Sequence, residues 1–139
     1  TKMYSMNLNI NVYYNQINAF SVKNLYPVPN TFSAVQQKVY SGNIKLNNQF
    51  HFTKKLDAQI SLVYLAPDII PQGKIGSRFS LDVGIKKSVQ NGKGEFFING
   101  TDLLNTMRIK KEIIAENFNY KSADYYETQV IRIGYLYKF

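Results

Sequence analysis

Cysteine and tryptophan are both missing from this 139-residue chain, and histidine occurs once. Without cysteine there is no disulfide framework and no thiolate metal site, so the redox compartment is left open. A lone His51 has no partners for an imidazole metal cluster, and such a residue ordinarily serves as a polar surface or interior side chain. No apolar run approaches the roughly 18–20 residues of a membrane-spanning helix, which excludes a helical span. It does not exclude crossing by strands, whose apolar residues occupy alternate positions only. No signal-peptide pattern of basic, apolar and small-residue regions precedes Thr1. A secreted protein would have lost such a leader, and an internal piece of a longer chain would never have had one there.

Acidic residues are also scarce, nine against seventeen lysines and arginines, for a net charge of +8. Basic chains with interleaved aromatics bind nucleic acid in many folds. Here Lys54, Lys55, Lys86, Lys87 and Lys93 fall in or beside short connections, and no RNA-recognition or helix-turn-helix pattern is present. Solvated turns, or turns beside anionic lipid headgroups, account for them, and no nucleic-acid partner is expected. What the chain does have is 45% hydrophobic and 14% aromatic residues, which argues against disorder. Its length allows one segment, 1–139, with a single core.

The dominant pattern is alternation. Met6, Leu8, Ile10, Val12 and Tyr14 interleave with Asn7, Asn9 and Asn11. Gly42, Ile44, Leu46, Phe50 and Phe52 oppose Asn43, Lys45, Asn47, Gln49 and His51, with Asn48 the one polar intruder. Three more segments follow the rule: 58–64 with Val63 off pattern, 78–86, and 95–101 with Phe97 off pattern. The last segment places Ile131, Ile133, Tyr135, Tyr137 and Phe139 on one parity. Period-2 patterning without sustained helical spacing predicts an all-β, antiparallel fold of six principal strands.

The connections alternate as regularly as the side chains. Those at 17–33, 66–77 and 108–124 are long, and those at Thr53-Lys54-Lys55-Leu56 and Val89-Gln90-Asn91-Gly92-Lys93 are short, the second with an Asn-Gly turn signal. Tight turns at one end and long loops at the other are the arrangement of outer-membrane β-barrels, and a soluble sandwich has no reason to sort its loops. The first apolar row is long enough to cross hydrocarbon as a tilted strand, and a closed sheet leaves no backbone polar group unpaired in lipid. The Asn7, Asn9, Asn11, Asn43, Asn47 and Gln49 side would then line a wet interior. The same alternation also serves a small soluble β-barrel or sandwich acting as a binding module, with the two faces reversed.

Little chemistry accompanies this pattern. Asp102 and Asn105 are a conceivable cation pair, although Asx residues bordering a strand more often fix local backbone. Asn99-Gly100-Thr101 matches a glycosylation sequon on what reads as a strand, a poor acceptor. Glu112, Glu116, Asp124 and Glu127 gather around the last long loop, but nothing fixes their separation or adds a nucleophile. No phosphate-binding glycine loop, catalytic triad or metal spacing is present. No enzyme activity, cofactor or metal is expected. Tyr13, Tyr14, Tyr125, Tyr126, Tyr135, Tyr137 and Phe139 near strand ends suit interfacial aromatic girdles.

Two features resemble a known family. The ending Tyr135-Leu136-Tyr137-Lys138-Phe139 is similar to the C-terminal strand of bacterial outer-membrane barrels, which implies that Ile133, Tyr135, Tyr137 and Phe139 form the signal read by the barrel-assembly machinery. Gly100-Thr101-Asp102-Leu103-Leu104-Asn105-Thr106 resembles the signature near the end of TonB-dependent receptor barrels, with those of the Bacteroidetes outer-membrane β-barrel family looking closest. Thr53-Lys54-Lys55-Leu56, Leu81 to Ser88 and Asn91-Gly92-Lys93-Gly94 match in family order, so the ordered set covers nearly the whole chain. The resemblance implies the C-terminal six strands of a barrel of about twenty-two, whose plug domain and TonB box are absent from this chain. It further implies a receptor in the outer membrane with its C-terminus periplasmic, importing a bulky nutrient. The implied partners are membrane lipid and lipopolysaccharide, the rest of the barrel and its plug, TonB, and a surface lipoprotein.

Overall fold

The computed structural model describes residues 3–115 and 118–139 and contains twelve strands among them. In chain order these are β1 (Tyr4–Ile17), β2 (Phe20–Asn24), β3 (Asn30–Ala34), β4 (Gln37–Thr53), β5 (Leu56–Leu65) and β6 (Asp68–Ile70). They continue with β7 (Gly73–Ile75), β8 (Arg78–Val89), β9 (Gly94–Thr101), β10 (Ile109–Ala115), β11 (Phe118–Asp124) and β12 (Val130–Tyr137). The six strands expected from alternation are β1, β4, β5, β8, β9 and β12, and they form one antiparallel sheet in that order. The long connections are not structureless. β2 and β3 pair as a hairpin, and β6, β7, β10 and β11 form a second sheet in the order β11-β10-β7-β6.

Register keeps each face largely of one chemistry across the large sheet, with Asn48 opposite Met6 and Val63 opposite Lys45 as exceptions. Ile10 pairs with Ile44, Ile44 with Tyr64 and Tyr64 with Phe79; lower down, Ile85 pairs with Ile98 and Ile98 with Ile133. On the other face Asn7 pairs with Asn47, Asn47 with Ser61 and Ser61 with Asp82. A slip of one residue in any pair would mix the two chemistries, so the alternation itself pins the register. The short connections are tight. Lys93 N–H donates to the Gln90 carbonyl at 3.1 Å across a turn in which Gln90, Asn91 and Gly92 all have positive φ. Asn and Gly are the residues that adopt this conformation at least cost, which is why the dipeptide signalled the turn.

Burial is inverted relative to a water-soluble fold. Among the described residues the buried hydrophobic side chains are Ala34 and Ile69, while Ser41, Ser61, Ser80 and Asp102 are buried polar ones. Ile133 is 75% exposed and Ile10 59%. No second sheet covers the apolar face among the described residues.

The expected closed barrel is not completed by these strands. β1 and β12 lie at opposite ends of the sheet and do not pair with each other, leaving two free edges. The physical reason is number: six strands fall short of the roughly eight needed to close a barrel filled by side chains.

Candidate functional site

The apolar face has internal structure. Tyr14 and Tyr40 meet at one end with ring centroids 5.0 Å apart, and Tyr64 and Phe79 pair with each other near the long-loop ends of β5 and β8. At the other end Tyr4 lies 5.1 Å from Phe50, Phe50 stacks 6.1 Å from Phe52, and Phe96 lies 4.5 Å from Tyr135. Tyr137 meets Phe139 edge-on at 5.3 Å, just past the strand end. Between these two aromatic fringes run Leu8, Ile10, Val12, Ile44, Leu46, Leu62, Val83, Ile98 and Ile133, all aliphatic. From Tyr4 to Tyr14 the strand climbs ten steps of ~3.4 Å, which at a ~40° tilt spans ~26 Å of height, the thickness of a barrel's apolar band. An aliphatic belt of membrane height, exposed and fringed by aromatics, is a lipid-facing surface in its chemistry. Residues 1–137 match the profile of the outer membrane protein beta-barrel family. The chain belongs to that family. Membership implies location in the outer membrane. No curated protein and no solved structure matches the chain.

The residues expected to carry the terminal signal divide between two settings in this outer membrane β-barrel chain. Ile133, Tyr135 and Tyr137 lie on the apolar parity of the edge strand β12, and Phe139 follows it fully exposed. Three expected girdle residues fall elsewhere. Tyr13 has the parity of the asparagines, and its hydroxyl donates to Asp68 Oδ2 at 2.8 Å. Tyr125 and Tyr126 sit in the link before β12, where the Arg108 guanidinium lies 5.3 Å above the Tyr125 ring. Tyr40, Tyr64, Phe50 and Phe96 take the fringe positions instead.

The polar face carries Asn7, Asn9, Asn11, Asn43, Asn47 and Gln49, as the alternation requires. Ser61 Oγ donates to Asn47 Oδ1 and Ser5 Oγ to Gln49 Oε1, tying adjacent strands. Toward the short-turn end, His51 Nδ1 lies 2.6 Å from Asp57 Oδ1, and Lys86 Nζ stands 3.9 Å from Asp57 and 3.6 Å from Glu95. This row borders an open cavity of about 430 Å³ lined by Gln59, Gly84 and Asn99 as well. His51 thus belongs to a polar row that includes Asp57, Lys86 and Glu95. Among the described residues no three His, Cys, Asp or Glu side chains converge as metal ligands.

The Asp102-Leu103-Leu104-Asn105 signature is a backbone latch. Asp102 is 2% exposed, and its carboxylate accepts from Thr128 Oγ1 at 2.6 Å, Thr106 N–H at 3.0 Å and Met107 N–H at 3.2 Å. Its own N–H donates to Asp82 Oδ1 at 2.9 Å on β8. Leu103 N–H donates to the Leu81 carbonyl, and the Leu103 side chain covers Gly100, where a Cβ would meet it at 2.5 Å. Asp102 and Asn105 turn the chain with φ of 45° and 52°, values that Asx residues tolerate better than most. Leu104 remains exposed. Burial acts to raise the Asp102 pKa, but the bonds from Thr128, Thr106 and Met107 outweigh it and hold the carboxyl below its ordinary value. With both its oxygens committed to protein donors, Asp102 fixes the backbone of this turn, whereas Asn105 Oδ1 is buried with no hydrogen-bond partner among the described residues.

Two of the loop acids are separated as well as paired. Glu112 pairs with Lys121 at 3.0 Å and Asp124 with Lys111 at 2.9 Å, on opposite faces of the second sheet. Glu127 lies in the link before β12, and Glu116 falls outside the described residues.

Sequence reasoning missed two relationships. Asp68 accepts from Tyr13 Oη, from Asn15 Nδ2 at 3.0 Å and from Ile69 N–H at 2.8 Å. Burial pushes its pKa up and these bonds more than reverse the effect, leaving it lowered. No local pattern announces a contact between residues more than fifty apart. Phe97, noted only as off pattern, lies over Gly134, where a Cβ would collide with its ring. The off-parity aromatic and the glycine opposite it were the available signal.

Proposed function

We propose that this chain is the C-terminal part of a larger outer-membrane barrel of the TonB-dependent receptor type, which imports a bulky nutrient. In this reading the aliphatic belt faces lipid and lipopolysaccharide, and the amide-rich face lines the lumen against a plug carried elsewhere in the receptor. The short turns and the C-terminus are periplasmic, and the long loops are extracellular, within reach of a surface lipoprotein. The row ending in Ile133, Tyr135, Tyr137 and Phe139 addresses the chain to the barrel-assembly machinery, and TonB supplies energy through parts beyond this segment.

The observation that carries the reading is the two-faced sheet: a fringed, exposed aliphatic belt on one side and a continuous asparagine-rich wall on the other. The free edges of β1 and β12 support a larger barrel, because an open edge does not survive in hydrocarbon. The receptor type rests on the ordered motif set, above all Asp102-Leu103-Leu104-Asn105. The test is the intact mass of the native polypeptide carrying this sequence, recovered from detergent-extracted outer membrane. A species several times 16.0 kDa is expected. A native 16.0 kDa chain that stays in solution without detergent overturns the proposal.

A further inference from the structure

The second sheet is not a free-standing extracellular decoration. β5 ends at Leu65, and Ala66 N–H still bonds to the Gly42 carbonyl of β4 at 2.9 Å. Three residues past Leu65, Asp68 is held by Tyr13 and Asn15 of β1, although β4 lies between β5 and β1 in the sheet. The chain therefore crosses two strand spacings, roughly 10 Å. The side on which it crosses is fixed by parity. Tyr13 and Asn15 continue the row Asn7, Asn9, Asn11, and Ser41, beneath the crossing, is only 4% exposed and shares the parity of Asn43 and Asn47. From β6 the sheet continues through β7 into β10, with Gly76 N–H on the Lys110 carbonyl and Ile114 N–H on the Gln72 carbonyl. β10 in turn springs from the Asp102 turn that ends β9. One edge of the small sheet is thus pinned to β1, and its far side is rooted in the loop beyond β8 and β9.

We infer that this sheet is a lid drawn inward across the mouth of the barrel, and that Asp68 is the latch fastening it to the polar wall through Tyr13 and Asn15. The inference rests on the reading of that wall as a lumen. A lid placed this way limits the entry of water-soluble molecules from the outside to the asparagine rows below it. It opens by breaking a small set of hydrogen bonds to one carboxylate, while the Asp102 turn stays as a hinge root.

The test uses the full-length receptor in outer membrane, with Asn9→Cys as the reporter two rungs below the latch in this segment, which has no cysteine of its own, and labelling at that site is read by peptide mapping. The probe is a bulky, membrane-impermeant maleimide added from outside, and heat-modifiable migration reports assembly in every variant. Asp68→Ala is expected to raise the labelling rate severalfold. Asp68→Asn, which keeps one acceptor oxygen for Tyr13 or Asn15, is expected to label more slowly than Asp68→Ala. Tyr13→Phe, which removes one donor and leaves the carboxylate, is expected to give an intermediate rate and serves if Asp68→Ala does not assemble. Equal labelling in the native and released forms, both assembled, overturns the lid. A reporter thiol closed to the aqueous probe in every background also overturns the lid, since something other than this sheet then controls access to the wall; absence of any heat-modifiable form removes the barrel reading and the lid with it.

Discussion

Thr128 Oγ1 donates to Asp102 Oδ2 at 2.6 Å, and through that bond the chain entering β12 is tied to the turn that ends β9. The carboxylate also holds two backbone N–H groups of its own loop, so it organises 102–107 and the last strand together. Asp102→Asn leaves one acceptor where three donors converge and is expected to cost about 1.5–3 kcal/mol of stability. Thr128→Val removes one donor and is expected to cost less. Because the folded-state pKa of Asp102 lies below its ordinary value near ~3.9, its contribution is present above that value and lost as pH falls through the folded pKa. Unfolding of the detergent-solubilised protein by urea, followed across acid pH, is therefore expected to show a stability loss that Asp102→Asn flattens. Identical acid slopes in the two proteins would remove Asp102 from that account.

Gly134 makes room for Phe97. A Cβ at this position of β12 would run into the ring of its β9 neighbour, so Gly134→Val forces the aromatic aside. Overpacking of this kind costs about 1–3 kcal/mol. Heat-modifiability of the assembled protein is expected to fall at a lower temperature in Gly134→Val and to recover in the Phe97→Ala, Gly134→Val double variant. A single variant as stable as the native protein would show that the ring moves freely and carries no weight.

Gly73 offers the corresponding test in the loop sheet. A Cβ there would collide with the Glu112 carbonyl oxygen, which is backbone and cannot turn away. Gly73→Ala is expected to separate β7 from β10 while leaving the six-stranded sheet intact. Protease added to whole cells should then cut within 66–77 or 108–115 in the variant at concentrations that spare the native protein. An unchanged cleavage pattern would mean that the pairing reforms around the methyl.

How far the sequence revealed this structure depends on the range of each interaction. All six principal strands and the face of most residues on them were legible, because alternation is local and Ile10 and Asn9 differ by parity alone. The aromatic fringe was half legible. Tyr14, Tyr135 and Tyr137 fell on it, but Tyr13 turned to the other face, since parity decides where proximity to a strand end does not. The second sheet was not legible: β6 and β7 are three residues each, too short for any period to register, and they form by pairing with a distant β10. Asp102 could be singled out by its motif, whereas its role as a latch needed Thr128, 26 residues further along the chain.

The assignment of the two faces meets its sharpest test at adjacent residues of β1. Ile10 pairs with Ile44 in the middle of the aliphatic belt and is 59% exposed, whereas Asn9 pairs with Lys45 on the polar wall. A cation placed on the lipid side near the bilayer midplane costs roughly 2–4 kcal/mol, and one placed on the wet side costs little because water solvates it. Neighbouring positions share the same strand, register and assembly route, so backbone effects cancel in the comparison. Ile10→Arg is therefore expected to lower the yield of assembled protein in the outer membrane sharply, and Asn9→Arg to leave it near native. Quantified by the heat-modifiable fraction of the full-length receptor, equal losses from the two substitutions would sink the lipid-facing assignment. A greater loss from Asn9→Arg would reverse it, turning the aliphatic belt inward and the asparagine rows outward.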